Sequence, residues 1–219
     1  AMEIGVGSGI LSILLLYHNR VSKIIGTDIS YAAIQCAREN FKKFGFLEDV
    51  VRLHHCSLFP PPPSPCSSLL DNEELEEKDT MPSLSAAKVD LILCNPPWVP
   101  YKPQVISDLA VYDNQNNDNH DNDNTTSMLS QFLSRAPKHL SQHGYIWLIM
   151  SDLAEIIGLR RKHELDELFA TNRLEVVDII SSSKPIGNMK KMNNRNDPLY
   201  VGRSKETTKL YVLKHKSAS

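Results

Sequence analysis

The sequence predicts an α/β protein: a mostly parallel, seven-stranded sheet, doubly wound with helices on both faces and with an antiparallel edge strand. Strand and helix patterns alternate along most of the chain, and the last two strand patterns follow each other without a helical pattern between them. Hydrophobic residues make up 41% of the 219 residues, which suits a sizeable core. We expect a single domain over residues 1–219 that lacks the N-terminal part of its first strand.

Apolar periodicity marks the elements in chain order. The predicted strands are Met2–Val6, Lys23–Asp28, Val50–Cys56, Val89–Cys94, Gly144–Met150, Glu175–Ile180 and Lys209–Lys214. The predicted helices are Ile10–Asn19, Tyr31–Phe44, Met128–Leu140 and Leu159–Ala170. Ser30 is a good N-cap for the second helix, and Gly45 stands where a helix C-terminus favours glycine. The third helix has apolar residues at helical spacing: Leu129, Phe132, Leu133, Ala136 and Leu140.

Two polar segments interrupt this pattern, and we expect both to be disordered insertions. Residues 60–88 begin with a polyproline run and continue into the acidic sequence DNEELEE. Residues 113–126 contain six Asn, four Asp and no apolar residue. Such segments cannot bury enough surface to offset the entropy of ordering them. Because strand and helix patterns resume on both sides, they are insertions into one domain rather than linkers between two.

Composition and charge exclude several classes of protein. The longest apolar block, Ile10–Tyr17, is too short to span a bilayer, so no membrane association is expected. The four cysteines form no C-x-x-C pair, which argues against zinc and disulfides and favours an intracellular, cytoplasmic location, with organelle targeting left open. The net charge is −2, but residues 184–219 carry nine basic and two acidic residues, or +7. This basic segment is either a solvated surface or a contact for an anionic partner such as RNA.

A glycine-rich loop stands where the first strand turns into the first helix. Its sequence, EIGVGSG over residues 3–9, has the spacing G-x-G-x-G instead of the G-x-G-x-x-G of dinucleotide binders. Glycines allow a tight turn and the close approach of a ligand to the main chain. Asp28 ends the second strand, where a carboxylate can accept hydrogen bonds from both hydroxyls of a ribose. Because Glu3 would be unfavourable beside a pyrophosphate, the pattern favours S-adenosylmethionine as the cofactor.

The E-x-G-x-G-x-G loop and the GTDIS sequence of Gly26–Ser30 resemble the cofactor half of the class I S-adenosylmethionine-dependent methyltransferases, which have a Rossmann-like fold. The family often has an Asp after the third strand that binds the adenine amino group, and Ser57 stands at that position here. Serine accepts a hydrogen bond more weakly than a carboxylate does. The resemblance implies a cofactor site made of Glu3, Gly5, Gly7, Gly9, Asp28, Ile29, Ser57 and Leu58.

The tetrapeptide Asn95-Pro96-Pro97-Trp98 closes the fourth strand, at the carboxyl edge where open parallel sheets bind ligands. The Asn95 side-chain oxygen and the Pro96 carbonyl can accept the two hydrogens of a planar –NH2 group, and Trp98 offers a face for stacking. This chemistry relies on positioning and needs no metal. The motif resembles that of the release-factor glutamine methyltransferases, the N6-adenine methyltransferases and the "small-domain" guanine-N2 enzymes. The resemblance implies that Asn95, Pro96, Pro97 and Trp98 are the catalytic residues.

The predicted function is transfer of a methyl group from S-adenosylmethionine to a planar amide or exocyclic amine nitrogen, on a protein glutamine or a nucleic-acid base. Asp152, Arg203 and Glu206 follow or precede strands and either line the substrate pocket or lie on the surface. Two alternatives stay open. One is a catalytically silent scaffold of the same fold that binds a partner. The other is a dinucleotide-dependent oxidoreductase, which would leave the NPPW motif without a role.

Overall fold

A computed structural model describes residues 1–60, 88–100, 112–113, 127–182, 202 and 205–216. The strands are β1 (Met2–Ile4), β2 (Ile24–Asp28), β3 (Val51–His55), β4 (Val89–Cys94), β5 (Val99–Pro100), β6 (Tyr112–Asp113), β7 (Leu140–Ser151), β8 (Leu174–Ser181) and β9 (Thr208–His215). The helices are α1 (Ile10–Tyr17), α2 (Tyr31–Lys43), α3 (Met128–His139), α4 (Leu153–Ile156) and α5 (Glu164–Thr171).

Seven strands form one sheet, in the order β3-β2-β1-β4-β7-β9-β8, and β5 pairs with β6 in a separate two-stranded sheet. β1 and β3 run parallel to β2, whereas β9 runs antiparallel to both of its neighbours, β7 and β8. The predicted fold class, a seven-stranded and mostly parallel sheet with an antiparallel strand at one side, is therefore confirmed. The antiparallel strand lies one place in from the edge, and β8 is the outermost strand on that side.

The chain divides into two compact units, an N-terminal unit (Ala1–Val89) and a C-terminal unit (Asp90–Ser219). In the N-terminal unit, α1 and α2 pack their apolar residues against the strands. The buried residues of this core are Val6, Ile13, Leu16, Ile24, Ile34, Ala37, Phe41 and Val51. The Ser30 side chain accepts a hydrogen bond from the Ala33 N–H at 3.3 Å, as expected of an N-cap. Gly45 follows α2 with a φ of +79°, the left-handed conformation for which glycine is favoured at helix ends.

The C-terminal unit departs from the sequence-based prediction at two places. β7 begins at Leu140 instead of Gly144, directly after α3, because the backbone of Leu140 is already extended, with φ −91° and ψ 136°. The helix predicted from Leu159 begins at Glu164, and the short helix α4 precedes it. Gly158 separates the two helices with a φ of +76°, a conformation that a continuous helix cannot contain.

The structure describes Asp113, the first residue of the predicted Asn/Asp-rich insertion. Asp113 belongs to β6 and is 1% exposed, and its carboxylate accepts hydrogen bonds from the Met128 and Leu129 N–H groups at the start of α3. The rest of that insertion, residues 61–87 of the Pro-rich and acidic insertion, most of the basic segment and Arg203 lie outside the described residues. No helix that the structure describes has both the length and the apolar character needed to cross a membrane.

Candidate functional site

The glycine-rich loop leaves β1 through a tight turn bonded to the neighbouring strand. The Gly5 and Val6 N–H groups both donate to the Thr27 carbonyl of β2, at 2.9 and 2.8 Å. Gly9 has a φ of +79°, and a Cβ atom there would lie 2.9 Å from the Phe41 ring, so the close approach of α2 requires glycine. At Gly5 the same atom would meet nothing within 4 Å, which means that this side of the loop is open.

Glu3 lies at the base of this loop and is only 3% exposed. Its Oε2 accepts a hydrogen bond from the Ser12 N–H at 3.2 Å and another from the Ser12 hydroxyl, so the side chain links β1 to the first turn of α1. The pKa of Glu3 is raised to about 7, chiefly by burial and also by the nearby charge of Asp28. The two hydrogen bonds from Ser12 act in the opposite direction and lower this pKa. The structure thus places Glu3 under the loop, in a supporting position.

Asp28 ends β2 and holds the loop by its carboxylate. The Gly7 N–H donates to Oδ2 at 2.9 Å, and the Ser30 N–H donates to Oδ1 at 2.8 Å. Each carboxylate oxygen can accept two hydrogen bonds, so each retains one lone pair for a further donor. The structure therefore brings Asp28 and the glycine loop together, as the sequence predicted for two parts of one ligand site.

The remaining predicted cofactor residues follow β2 and β3. Ile29 is 58% exposed, and its carbonyl oxygen lies 3.0 Å from Nε2 of His55. Ser57 is exposed, whereas the Leu58 side chain is 6% exposed and belongs to the core. The Leu58 carbonyl accepts a hydrogen bond from the Thr27 hydroxyl. Of the two residues predicted after the third strand, only Ser57 presents its side chain at the surface.

The NPPW tetrapeptide follows β4 in the C-terminal unit. Asn95 is exposed, Pro96 is buried, and Pro97 and Trp98 are half-buried. The Trp98 Nε1–H group lies 3.2 Å from Asn95 Oδ1 and 3.2 Å from the carbonyl oxygen of Ile149 in β7. The indole is thus engaged through its nitrogen, a role that the sequence did not predict.

Ser151, Asp152 and Glu206 meet where β7 ends and β9 begins. The Ser151 hydroxyl donates to Glu206 Oε2 at 3.3 Å, and the Thr207 N–H donates to Asp152 Oδ1 at 2.6 Å. The structure therefore brings together Asp152 and Glu206, which are far apart in sequence. Both carboxylates tie the two strand ends to each other, and their predicted place in a substrate pocket stays a prediction.

Arg160 is a buried cation, and its burial is not indicated by the sequence. It is 4% exposed, and none of its guanidinium nitrogens has a hydrogen-bond partner among the residues that the structure describes. Burial lowers the pKa of the Arg160 guanidinium, and the negative charges of Glu164, Asp113 and Glu155 act in the opposite direction. Arginine is rarely buried, so no sequence pattern would have indicated this position. Within the described ranges, no three His, Cys, Asp or Glu side chains are grouped as metal ligands.

The N-terminal part of the chain matches the model of a known protein family. Residues 1–60 match the family model of the ribosomal protein L11 methyltransferase, PrmA. A search of curated proteins found no significant match in sequence.

Solved structures match nearly the whole chain. The L11 methylase of Lactobacillus delbrueckii subsp. bulgaricus is 15% identical, with a TM-score of 0.51 over 99% of this chain and 69% of that one. This chain has the class I methyltransferase fold. The geranyl diphosphate C-methyltransferase of Streptomyces coelicolor A3(2), solved with S-adenosyl-L-homocysteine, is 14% identical, with a TM-score of 0.57 over 98% of this chain and 71% of that one. A Pyrococcus horikoshii protein described as an RNA methyltransferase is 13% identical, with a TM-score of 0.53 over 99% and 74%.

The comparisons support the predicted class of enzyme and cofactor, an S-adenosylmethionine-dependent methyltransferase. The loop of this chain fits that cofactor on its own geometry, because the Gly5 side is open and Asp28 keeps lone pairs for hydroxyl donors. The acceptor does not follow from the fold, since the similar structures are named for a ribosomal protein, an isoprenoid diphosphate and an RNA.

Proposed function

We propose that this methyltransferase-fold protein transfers a methyl group from S-adenosylmethionine to a planar amide or amine nitrogen. The observation that carries the proposal is the NPPW loop directly after β4, with an exposed Asn95 whose side-chain oxygen is held by the Trp98 indole. A carboxamide oxygen held in this way is an acceptor for N–H groups. That is the group needed to orient an amide or amine nitrogen.

In this proposal the cofactor is held by the glycine loop and by the end of β2. Asp28 accepts hydrogen bonds from the ribose hydroxyls, and the open faces of Gly5 and Gly7 admit the ligand to the main chain. In the same proposal, the cofactor site is completed by the exposed residues Ile29 and Ser57 and by the buried residues Glu3, Gly9 and Leu58. When bound, S-adenosylmethionine supplies a methyl group on a positively charged sulfur, which makes that carbon electrophilic.

The NPPW loop then orients the acceptor. Asn95 Oδ1 and the Pro96 carbonyl accept the hydrogens of the acceptor nitrogen, which leaves its lone pair directed away from them. The indole ring of Trp98 stacks on the planar group. The acceptor nitrogen would form its bond to the methyl carbon as the carbon–sulfur bond breaks, with S-adenosylhomocysteine as the leaving group and one nitrogen proton released to water. Positioning of this kind can lower the barrier by about 7–11 kcal/mol for well-oriented reactants, and no strong base is required.

For the acceptor, we favour a protein. The matching family model is named for the methylation of a ribosomal protein, and the formal net charge of −2 provides little attraction for nucleic acid. A nucleic-acid base is the second candidate, favoured by the excess of seven positive charges in residues 184–219. We further propose an intracellular, cytoplasmic location, since the four cysteines are widely spaced in the sequence without a C-x-x-C pair, which is typical of a reducing compartment.

The test is methyl transfer from methyl-labelled S-adenosylmethionine to total soluble protein and, separately, to total RNA. We expect label in protein that survives nuclease and is lost with protease, and that elutes after hydrolysis as an N-methylated residue. Asn95→Ala should remove transfer while leaving cofactor binding intact, and Asp28→Ala should weaken cofactor binding.

Three results would contradict the proposal in different ways. Label on carbon, oxygen or sulfur would overturn the predicted nitrogen acceptor. Label in RNA alone would replace the protein by a nucleic-acid acceptor. Tight cofactor binding without transfer to either fraction would favour the silent scaffold.

A further inference from the structure

The Trp98 indole contacts the predicted acceptor-binding group itself. Its Nε1–H is shared between Asn95 Oδ1 and the Ile149 carbonyl, each at 3.2 Å. An indole N–H is a donor only, so it can bond to the oxygen of a carboxamide and not to its –NH2 group. We propose that Trp98 is a positioning residue that fixes the orientation of the Asn95 carboxamide and thereby makes the site select acceptors that donate an N–H. This inference rests on the proposed function.

The position of the indole does not depend on Asn95. Ile149 lies in β7, where it pairs with Leu210 of β9, so its carbonyl is held by the sheet. A half-buried ring bonded to that carbonyl keeps its N–H directed at the NPPW loop, whichever way the Asn95 side chain turns. Strand β7 therefore fixes the direction of the Trp98 N–H, and this N–H fixes the orientation of the Asn95 carboxamide.

Asn95 needs such a partner because its side chain is exposed. The indole is its one hydrogen-bond partner within the part of the chain that the structure describes. Without the indole, water would satisfy both orientations of the carboxamide almost equally. One net hydrogen bond shifts the ratio of the two orientations by about twofold to tenfold.

The chosen orientation has a chemical consequence. The carboxamide oxygen has two lone pairs, and the indole uses one, which leaves one for an acceptor N–H. In the reversed orientation an –NH2 group would face that position and would repel an N–H donor. Trp98 therefore favours methyl-accepting groups that can donate an N–H over methyl-accepting groups that offer only a lone pair.

Trp98→Phe separates this role from stacking, because phenylalanine keeps a flat ring and has no donor. The matched control is Trp147→Phe, which changes the chain's other tryptophan, in β7. In 15N NMR of the full chain, we expect Trp98→Phe to lower the order parameter of the Asn95 side-chain –NH2 group and Trp147→Phe to leave it unchanged. In the wild type, the Trp98 indole N–H should exchange with solvent at least about tenfold more slowly than free indole. An unchanged Asn95 order parameter in Trp98→Phe, or an unprotected indole N–H in the wild type, would overturn the inference.

A kinetic cycle gives the functional readout, with the peptide Gly-Gly-Gln as amide probe and adenosine as amine probe. In an Asn95→Asp background both terminal atoms are acceptor oxygens, so orientation no longer matters. We expect Trp98→Phe to lower the transfer rate about twofold to tenfold in the native background, with the KM for S-adenosylmethionine unchanged, and by much less in the Asn95→Asp background. Equal losses in both backgrounds would assign Trp98 to stacking alone. Absence of transfer by the wild type to every acceptor would refute the proposed function, while the NMR measurement would still decide the role of Trp98.

Discussion

The protonation of Glu3 provides a direct test of how the loop under the cofactor site is built. Glu3 is 3% exposed and its pKa is raised to about 7, chiefly by burial. Its pKa in the unfolded chain is the ordinary value of 4.5. The folded state therefore holds the Glu3 proton more tightly, and folding stability falls as the pH rises from about 4.5 towards 7 and just beyond. Glu3→Gln removes the titration and keeps the shape of the side chain.

The size of the effect follows from the two pKa values. A difference between 4.5 and about 7 corresponds to about 3 kcal/mol at full ionisation, at roughly 1.36 kcal/mol for each pH unit. Between pH 5 and pH 8, the wild type should lose about 2–3 kcal/mol of unfolding free energy through Glu3, and Glu3→Gln should lose none through this position. The histidines His54 and His139 act in the opposite direction, since burial lowers their pKa values, but both proteins share them.

The assay is urea unfolding of both proteins at half-unit steps from pH 5 to pH 8, and the quantity compared is the difference between their unfolding free energies. Glu39→Gln, at an exposed position on α2, is the matched control for the substitution of a glutamate by glutamine. We expect Glu3→Gln to gain stability relative to the wild type as the pH rises. A flat difference would mean that Glu3 is solvated in solution, and a difference of opposite slope would mean that Ser12 stabilises the ionised form beyond the cost of burial.

Four further predictions concern the loop and the start of α3. Gly9→Ala should lower stability by about 2–4 kcal/mol in thermal or urea unfolding, because the new Cβ atom meets the Phe41 ring and φ is positive. Gly5→Ala should cost only about 1–2 kcal/mol of backbone strain, yet should weaken S-adenosylmethionine binding more than about tenfold in calorimetry, because the Cβ atom fills the open side of the loop. Asp28→Ala should weaken the same binding by about 1.5–3 kcal/mol, and unchanged affinity would remove Asp28 from the site. Asp113→Ala should destabilise the fold by about 1–3 kcal/mol, since two N–H groups at the helix start lose their acceptor; a smaller loss would mean that water replaces the carboxylate.

Local sequence was sufficient wherever a signal is carried by neighbouring residues. The alternation of strands and helices, the Ser30 cap and the Gly45 terminus depend on periodicity and on intrinsic backbone preferences, and the structure has each of them. The glycine loop and the carboxylate of Asp28 belong to the same category, because the spacing of a β-α-β unit fixes which residues end its strands. These elements made the fold class and the cofactor predictable.

Tertiary structure decided the features that depend on partners distant in the chain. β7 starts early because the extended backbone of Leu140 ends α3, and α5 starts late because His163, directly before it, has a φ of +68° that a helix cannot contain. Burial of Asp113 at the start of α3 and burial of Arg160 could not be read from an Asn/Asp-rich stretch or from a lone arginine. The Trp98 bond to Asn95 likewise depends on a carbonyl 51 residues away in the sequence. A local pattern states what a segment prefers, whereas burial and hydrogen-bond partners are set by the segments packed against it, and only the folded chain brings those together.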